Sequence, residues 1–360
     1  MLSCQNRLCG TRSLHGCKTS KETSAIMELK TLHTPSTELA IGYAESRIGG
    51  RYENQDNFGS KDTNRGFLVT VCDGMGGGPG GKTASTIAVN EIIATIDNAP
   101  SNVDDFTAIG QAIANANLTM IRYGQKYPEL RGMGSTATIL LLTEKSAIVA
   151  HVGDSRVYQL RGDKKIFRTF DHSHVFELVR NGIINEEQAR LSAESNIITR
   201  ALGIYENVKA DIVELPYCRG DVFMLCSDGI HGTMKESELL KLVGKRKNVL
   251  GTHVDDIATI IDNLGHTSGG HHDNLTIALV ETTVNSKLKP KMTKLAKLII
   301  VILAVICVAS IGVNVYQFTD KGGTASVSDS VMSDSIMMLK KDNTVLKDSI
   351  ILLKDSITRE

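Results

Sequence analysis

The sequence predicts a layered α+β domain in which most of the sheet is antiparallel. Three observations carry that expectation. Apolar strand-like segments follow one another through tight turns such as RGDKK at 161–165, as antiparallel neighbours do. Helix-period segments interrupt the strands irregularly, which disfavours a repeating βαβ unit. The patterned region, residues 38–284, is long enough for one large core.

In chain order, residues 1–37 show neither a helix nor a strand period, and no apolar run that would serve as a signal peptide. They are expected to be a disordered leader, with Met27 as a second candidate start. Cys4, Cys9 and Cys17 lie near His15, but no C-x-x-C pair supports a metal site there. Strands are predicted for ELAIGYA, RGFLVTVCDG, STATILLLTE, SAIVAHVGDS, RVYQLRG, KIFRTF, ADIVELP, DVFMLCSDG and DNLTIALVET. Helices are predicted for KTASTIAVNEIIATI, beginning at about Lys82, and for FTAIGQAIANANLTMIRYG, ESELLKLVG and VDDIATIIDNLG. Cys72 and Cys226 fall inside apolar strands and read as core.

Beyond the domain, 285–297 is a basic juxtamembrane linker carrying Lys287, Lys289, Lys291, Lys294 and Lys297. The run 298–315 holds eighteen residues without a charge, near the ~20 needed to cross a hydrocarbon layer of ~30 Å. It is predicted to be a single transmembrane helix. The lysines on its N-terminal side place the domain in the cytoplasm and the tail outside. After a linker at 316–331, the tail 332–358 repeats every seven residues. Ile336, Asn343, Ile350 and Ile357 take one seam position, and Met332, Leu339, Leu346 and Leu353 the other. Ile and Leu at these positions with one Asn favour a two-stranded parallel coiled coil, hence a homodimer. An amphipathic tail contacting a membrane or another protein is the alternative.

Composition narrows the function. The 40 basic and 40 acidic residues balance, so the total charge does not suggest nucleic acid as a partner. Aromatics are 4% with no Trp, a poor basis for stacking bases. Seven cysteines without paired spacing fit a reducing compartment.

The stretch VCDGMGGGPGGKTAS at 71–85 allows two chemistries. Its GGGPGGKT fits the phosphate-cradling P-loop pattern, and VFMLCSD imitates the second, magnesium-binding strand of such an NTPase. Its first half instead drives an apolar strand into Asp73-Gly74, a place to set a carboxylate on a metal. Four more aspartates stand at the ends of apolar segments: Asp56 in RYENQDNF, Asp154 in HVGDSR, Asp228 in FMLCSDG and Asp273 in HHDNLT. Any one alone reads as a turn former or cap. Five gathered in space would repel one another and need cations, and hard oxygen ligands suit Mg²⁺ or Mn²⁺. A P-loop gives no reason for Arg51 to Asp56, for GDSR or for the terminal DNLT.

In this order, RYENQD, DGMGG, GMGSTAT, VGDSR, DHS, ITRALG, SDG and DNLT resemble the metal-dependent serine/threonine protein phosphatases of the type 2C family, in a bacterial-type form. The resemblance implies two packed antiparallel β-sheets flanked by α-helices, an α-β-β-α sandwich, with a binuclear Mn²⁺ or Mg²⁺ centre at one edge. Carried over, Asp73 would bridge two metals and the Gly74 carbonyl would bind one. Asp56 would join through ligand waters, and Asp228 and Asp273 would complete the second metal's ligands. Asp154 matches a third, weaker metal position, and Arg51 matches the arginine that grips the substrate phosphate. A metal-bridging water would be the nucleophile, because paired metals lower the pKa of bound water from about 15.7 towards about 7 in the best zinc case. The substrate would be phosphoserine or phosphothreonine in a protein, and the antagonist a Ser/Thr kinase.

The sequence departs from the pattern in places. Gln55 stands where many relatives carry Glu, and Met75 where some carry a His proposed as general acid. His271 and His272 adjoin Asp273 as tempting extra ligands. Residues 172–200 resemble the family's flap beside the active site. A phosphate-binding module that kept the fold without turnover is the second rival reading.

Overall fold

The computed structural model describes residues 28–31, 39–76, 80–245 and 249–288, together with Leu303, Ile306 and Ser310. A run of six strands and a run of five stack face to face, each covered by helices on its outer side. The first sheet contains β1 (Glu28–Thr31), β2 (Ala40–Arg47), β8 (Arg156–Arg161), β9 (Lys164–Arg168), β11 (Asp221–Cys226) and β12 (Leu275–Thr282). Their order across the sheet is β1-β2-β12-β11-β8-β9. The second contains β3 (Asp56–Thr63), β4 (Gly66–Met75), β6 (Ala137–Leu142), β7 (Ala147–Val152) and β10 (Asp211–Leu215), ordered β10-β7-β6-β4-β3. The short β5 (Gly134–Ser135) pairs with the end of β4. Every pairing is antiparallel, as the tight turns predicted. The Gly162-Asp163 corner of RGDKK closes the β8–β9 hairpin, with Gly162 at φ 63°.

The strand period explains the layers. Along β4, Phe67, Val69 and Val71 point between the sheets, where they meet Val157, Phe223, Leu225, Ala278 and Val280. Their neighbours Leu68 and Cys72 point outward onto α1 (Gly80–Asp97) and α2 (Asp105–Lys126), packing with Ala88, Ile92, Ile109 and Ile113. A strand buried on both faces reads as the unbroken apolar run FLVTVC. On the other side, Met224, Cys226, Ile277 and Leu279 face α6 (Glu236–Gly244) and α7 (Leu250–Thr267) through Leu239, Val254, Ile257 and Ile261. Burial pushes the Cys72 and Cys226 thiols up to about 12, consistent with their reading as core.

Three expectations change. The leader predicted to lack structure contributes Glu28–Thr31 as β1, paired with β2 from Glu28↔Ser46 to Thr31↔Tyr43; an edge strand borrows its order from the ladder and needs no apolar period of its own. DNFGSKDT was not predicted as a strand, yet it forms β3, an edge whose polar faces are only half buried. The first helix begins at Gly80 rather than at Lys82. Among the described residues no helix is long and apolar enough to cross a membrane. The predicted span 298–315 lies outside the described residues apart from Leu303, Ile306 and Ser310, which are helical and exposed. The coiled-coil tail 332–358 lies wholly outside them.

Candidate metal centre

Strand ends and loops at one edge of the sandwich bring the five predicted aspartates to one place. Asp56 opens β3 and Asp73 lies near the end of β4, and the two are direct cross-strand partners. Asp228 follows β11 and opens the one-turn α5 (Asp228–His231), Asp273 precedes β12, and Asp154 sits in the turn between β7 and β8. Antiparallel pairing carries β4, β11 and β12 to this edge from distant parts of the chain.

Their mutual electrostatics record the gathering. Burial, then the charges of Asp56, Asp228, Asp154 and Asp273, hold Asp73 well above the usual carboxylate range. Burial, then Asp154, Asp273 and Asp56, does the same for Asp228. Burial raises Asp56 to about 6, opposed by hydrogen bonds from Thr276 and Ser227. Burial and the nearby Asp171 raise Asp154 to about 7. Buried and half-buried carboxylates that each disfavour the other's charge are stabilised by cations. The Oδ1 atom of Asp228 is buried without a hydrogen-bond partner. An all-oxygen donor set with an unsatisfied carboxylate oxygen fits Mn²⁺ or Mg²⁺.

Gly74 and Gly81 serve close packing. A Cβ on Gly74 would lie 1.9 Å from the Gly81 carbonyl oxygen, and one on Gly81 would lie 2.5 Å from Gln55 Oε1 and 2.7 Å from the Gly74 carbonyl oxygen. Only glycine lets the start of α1 press against the Asp73-Gly74 corner, leaving the Gly74 carbonyl approachable. Lys82 lies inside α1, and its Nζ donates to the Asp56 carbonyl at 3.3 Å. The lysine of the P-loop pattern is thus spent on the carboxylate edge.

Neighbours that the sequence reading left unassigned hold the aspartates. Ser227 Oγ donates to Asp56 Oδ2 at 2.7 Å and accepts from Thr276 N at 3.0 Å. Asp73 N donates to Thr136 Oγ1 at 2.9 Å, while Thr136 N donates to the Asp73 carbonyl at 2.8 Å. Asn274 Nδ2 donates to the Ile48 and Glu53 carbonyls at 2.7 and 3.0 Å, and its Oδ1 accepts from Gln55 N at 2.9 Å. That amide fixes the loop that carries Arg51. Behind Asp154, the buried Arg156 grips Asp171 through two bonds of 2.8 and 2.7 Å. These residues were all visible as letters of SDG, DNLT, GMGSTAT, GDSR and DHS; their partners were not, because each bond spans many residues of chain.

Arg51 Nη2 donates to Asp273 Oδ2 at 2.6 Å, and its side chain is 52% exposed. It stands at the rim of a cavity of about 510 Å³ that also takes in Asp154, Asp228 and Asp273. The opposite wall comes from the 172–200 segment, where α3 (His174–Arg180) and α4 (Glu186–Arg190) pack Val175, Phe176 and Ala189 into a small core of their own. Gln55 sends Nε2 to Glu53 Oε2 at 3.2 Å, sets its side-chain amide beside Gly81 at the start of α1, and accepts Gly74 N on its backbone carbonyl at 3.2 Å. His272 turns away from the aspartates: its Nε2 meets Asp262 Oδ1 at 2.7 Å on α7.

A family model described as protein phosphatase 2C matches residues 45–279. The chain belongs to the protein phosphatase 2C family. It is 32% identical over 241 residues to "Serine/threonine phosphatase stp" of Listeria innocua, covering 66% of this chain and 93% of that one. To "Protein phosphatase PhpP" of Streptococcus pneumoniae it is 30% identical over 239 residues, covering 65% and 94%. Among solved structures it resembles serine/threonine phosphatase Stp1 from Staphylococcus aureus, with a TM-score of 0.60, 29% identity and coverage of 67% and 94%. It also resembles the catalytic domain of serine threonine protein phosphatase PstP in complex with two manganese ions, with a TM-score of 0.56, 27% identity and coverage of 68% and 99%. The matched region coincides with the sandwich described above. The protein is a serine/threonine phosphatase of a metal-dependent family.

Proposed function

We propose that the chain hydrolyses phosphoserine and phosphothreonine in proteins at the edge formed by Asp56, Asp73, Asp154, Asp228 and Asp273, opposing a Ser/Thr kinase. The observation that carries this reading is the convergence of five aspartates on one edge, where Asp73, half-buried and paired across the strands with Asp56, is held above the carboxylate range by desolvation and by the charges of the four others. Asp73, Asp228, Asp273 and the Gly74 carbonyl would hold two Mn²⁺ or Mg²⁺ ions, with Asp56 beside them and Asp154 towards a weaker third. When bound, such ions activate water and neutralise phosphoryl oxygens. The chain's own residues then position the reactants. Arg51, half exposed at the rim, presents a planar fork to the phosphate. Asp56 is kept in place by Ser227, and Asp73 by Thr136. The 172–200 wall limits which peptide can lie across the cavity. Met75 offers no proton to the leaving oxygen.

Phosphate release from a phosphothreonine peptide by the full chain in detergent should require Mn²⁺, stop with EDTA and be lost in Asp228→Asn. A folded chain that binds phosphate without turnover under any metal would instead favour a binding module.

The eighteen uncharged residues at 298–315 and the five lysines before them support a single-pass membrane protein with its catalytic domain in the cytoplasm. Extraction of the full chain from membranes by high salt alone would overturn that anchor. The heptads at 332–358 support a homodimer through an extracytoplasmic tail; deletion of 317–360 without change of oligomeric state in membranes would overturn it.

A further inference from the structure

Outside the carboxylate edge, two groups of side chains bring three metal-binding atoms within 4.8 Å of one another among the described residues. The first, His151, His172 and Asp211, already has its cation. Arg200 Nη1 lies 3.1 Å from His172 Nε2 and 3.2 Å from Asp211 Oδ1, and His151 Nε2 is spent on the Phe170 carbonyl at 2.9 Å.

The second group is different. Asp262 and His266 lie four residues apart on α7, hence on one helix face. His272 reaches them from the loop that precedes β12. His266 Nε2 is 3.5 Å and His272 Nε2 is 2.7 Å from the same oxygen, Asp262 Oδ1. Arg47 takes the other oxygen, Oδ2, at 3.7 Å, which leaves Oδ1 facing the two imidazoles. The two rings meet edge to face with centroids 4.8 Å apart.

The place for His272 is built. Its side chain is 8% exposed, and a Cβ on Gly265 would lie 2.2 Å from its Cγ and 2.4 Å from its Cδ2. The helix therefore gives up a side chain at 265 so that the ring can lie flat against it. The ring's Nδ1 is buried with no hydrogen-bond partner, so the packing aims Nε2 at Asp262 and gives nothing to the other nitrogen.

We propose that Asp262, His266 and His272 form a Zn²⁺ site separate from the carboxylate centre. Two imidazoles and one carboxylate are a borderline-soft set that suits zinc, whereas the five aspartates suit Mg²⁺ or Mn²⁺. Tetrahedral zinc with bonds of about 2.0–2.1 Å needs ligand atoms about 3.3 Å apart. The His266–Asp262 edge of 3.5 Å is near that value, and the His272–Asp262 edge of 2.7 Å has to open slightly. A water would take the fourth position. His266, 57% exposed, provides the way in from solvent. This inference does not rest on the proposed phosphatase chemistry.

The test is equilibrium dialysis of the full chain against Zn²⁺, with Asp73→Asn and Asp228→Asn introduced so that the carboxylate centre does not compete. Adding His266→Ala should remove one bound zinc per chain or weaken its binding at least about tenfold. Because His266 is mostly exposed, circular dichroism should show the fold unchanged. A chain that binds the same amount of zinc, equally tightly, with and without His266 overturns the site. Zinc uptake that His266→Ala leaves intact and thiol alkylation abolishes overturns it as well.

Discussion

Asp56→Asn should make the metal-free chain more stable at pH 8 while destroying its activity. Asp56 is 2% exposed, and burial raises its carboxyl from the usual 3.8 to about 6 in the folded chain. A raised folded value means that folding is favoured by the protonated form. That contribution is fully present below 3.8 and is lost as pH rises through about 6. The interval is worth roughly 3 kcal/mol at pH values above both. Asn has nearly the same shape, can still accept the Ser227 hydroxyl hydrogen, and carries no charge to lose. For a domain of this size about 3 kcal/mol corresponds to a rise in Tm of roughly 6–12 °C. Scanning calorimetry in EDTA should therefore find the variant more stable than the parent at pH 8 and within about 1 kcal/mol of it at pH 4. Comparing the two chains at each pH cancels the opposite contribution of His151, His172 and His231, whose values are lowered by burial. Saturating Mn²⁺ should reverse the order, because only the parent gains the full binding energy. A variant that melts at or below its parent in EDTA at pH 8 would refute the conclusion that burying the Asp56 charge costs stability.

Ser227→Ala removes the hydroxyl that supports Asp56, so the Mn²⁺ concentration for half-maximal activity should rise about 10–100-fold, read by titrating metal at fixed substrate. Arg156→Met strands Asp171 in the interior and should cost about 3–5 kcal/mol in urea unfolding, whereas Arg156→Met with Asp171→Leu should recover most of it. No recovery in the double variant would mean that the pair acts through its packing and not its charge.

The layers were legible because each core strand announces its environment. FLVTVC and ATILLL are buried on both faces and read as unbroken apolar runs, and ESELLKLVG matches its helix residue for residue. Glu28–Thr31 and DNFGSKDT were not legible, since an edge strand is held by a neighbour's backbone and its letters carry little of that information. At the site, the aspartates stood out by their place after apolar segments. Ser227, Thr136 and Asn274 act across separations of 171, 63 and 219 residues, which local pattern does not encode. The flap-like segment 172–200 hid a miniature core in Val175, Phe176 and Ala189, too short for any period to show.

The pairing of β2 with β12 has a temporal meaning for the cell. On its inner side the second strand of the chain finds its neighbour in the last strand of the described residues, through contacts such as Ala40↔Thr282. Asp273 likewise joins Asp56 only after more than two hundred further residues have been made. A ribosome-bound fragment ending before Asp273 lacks both the closing strand and a predicted metal ligand. Synthesis itself therefore delays the enzyme's onset, and a translation product truncated before Asp273 is expected to release no phosphate.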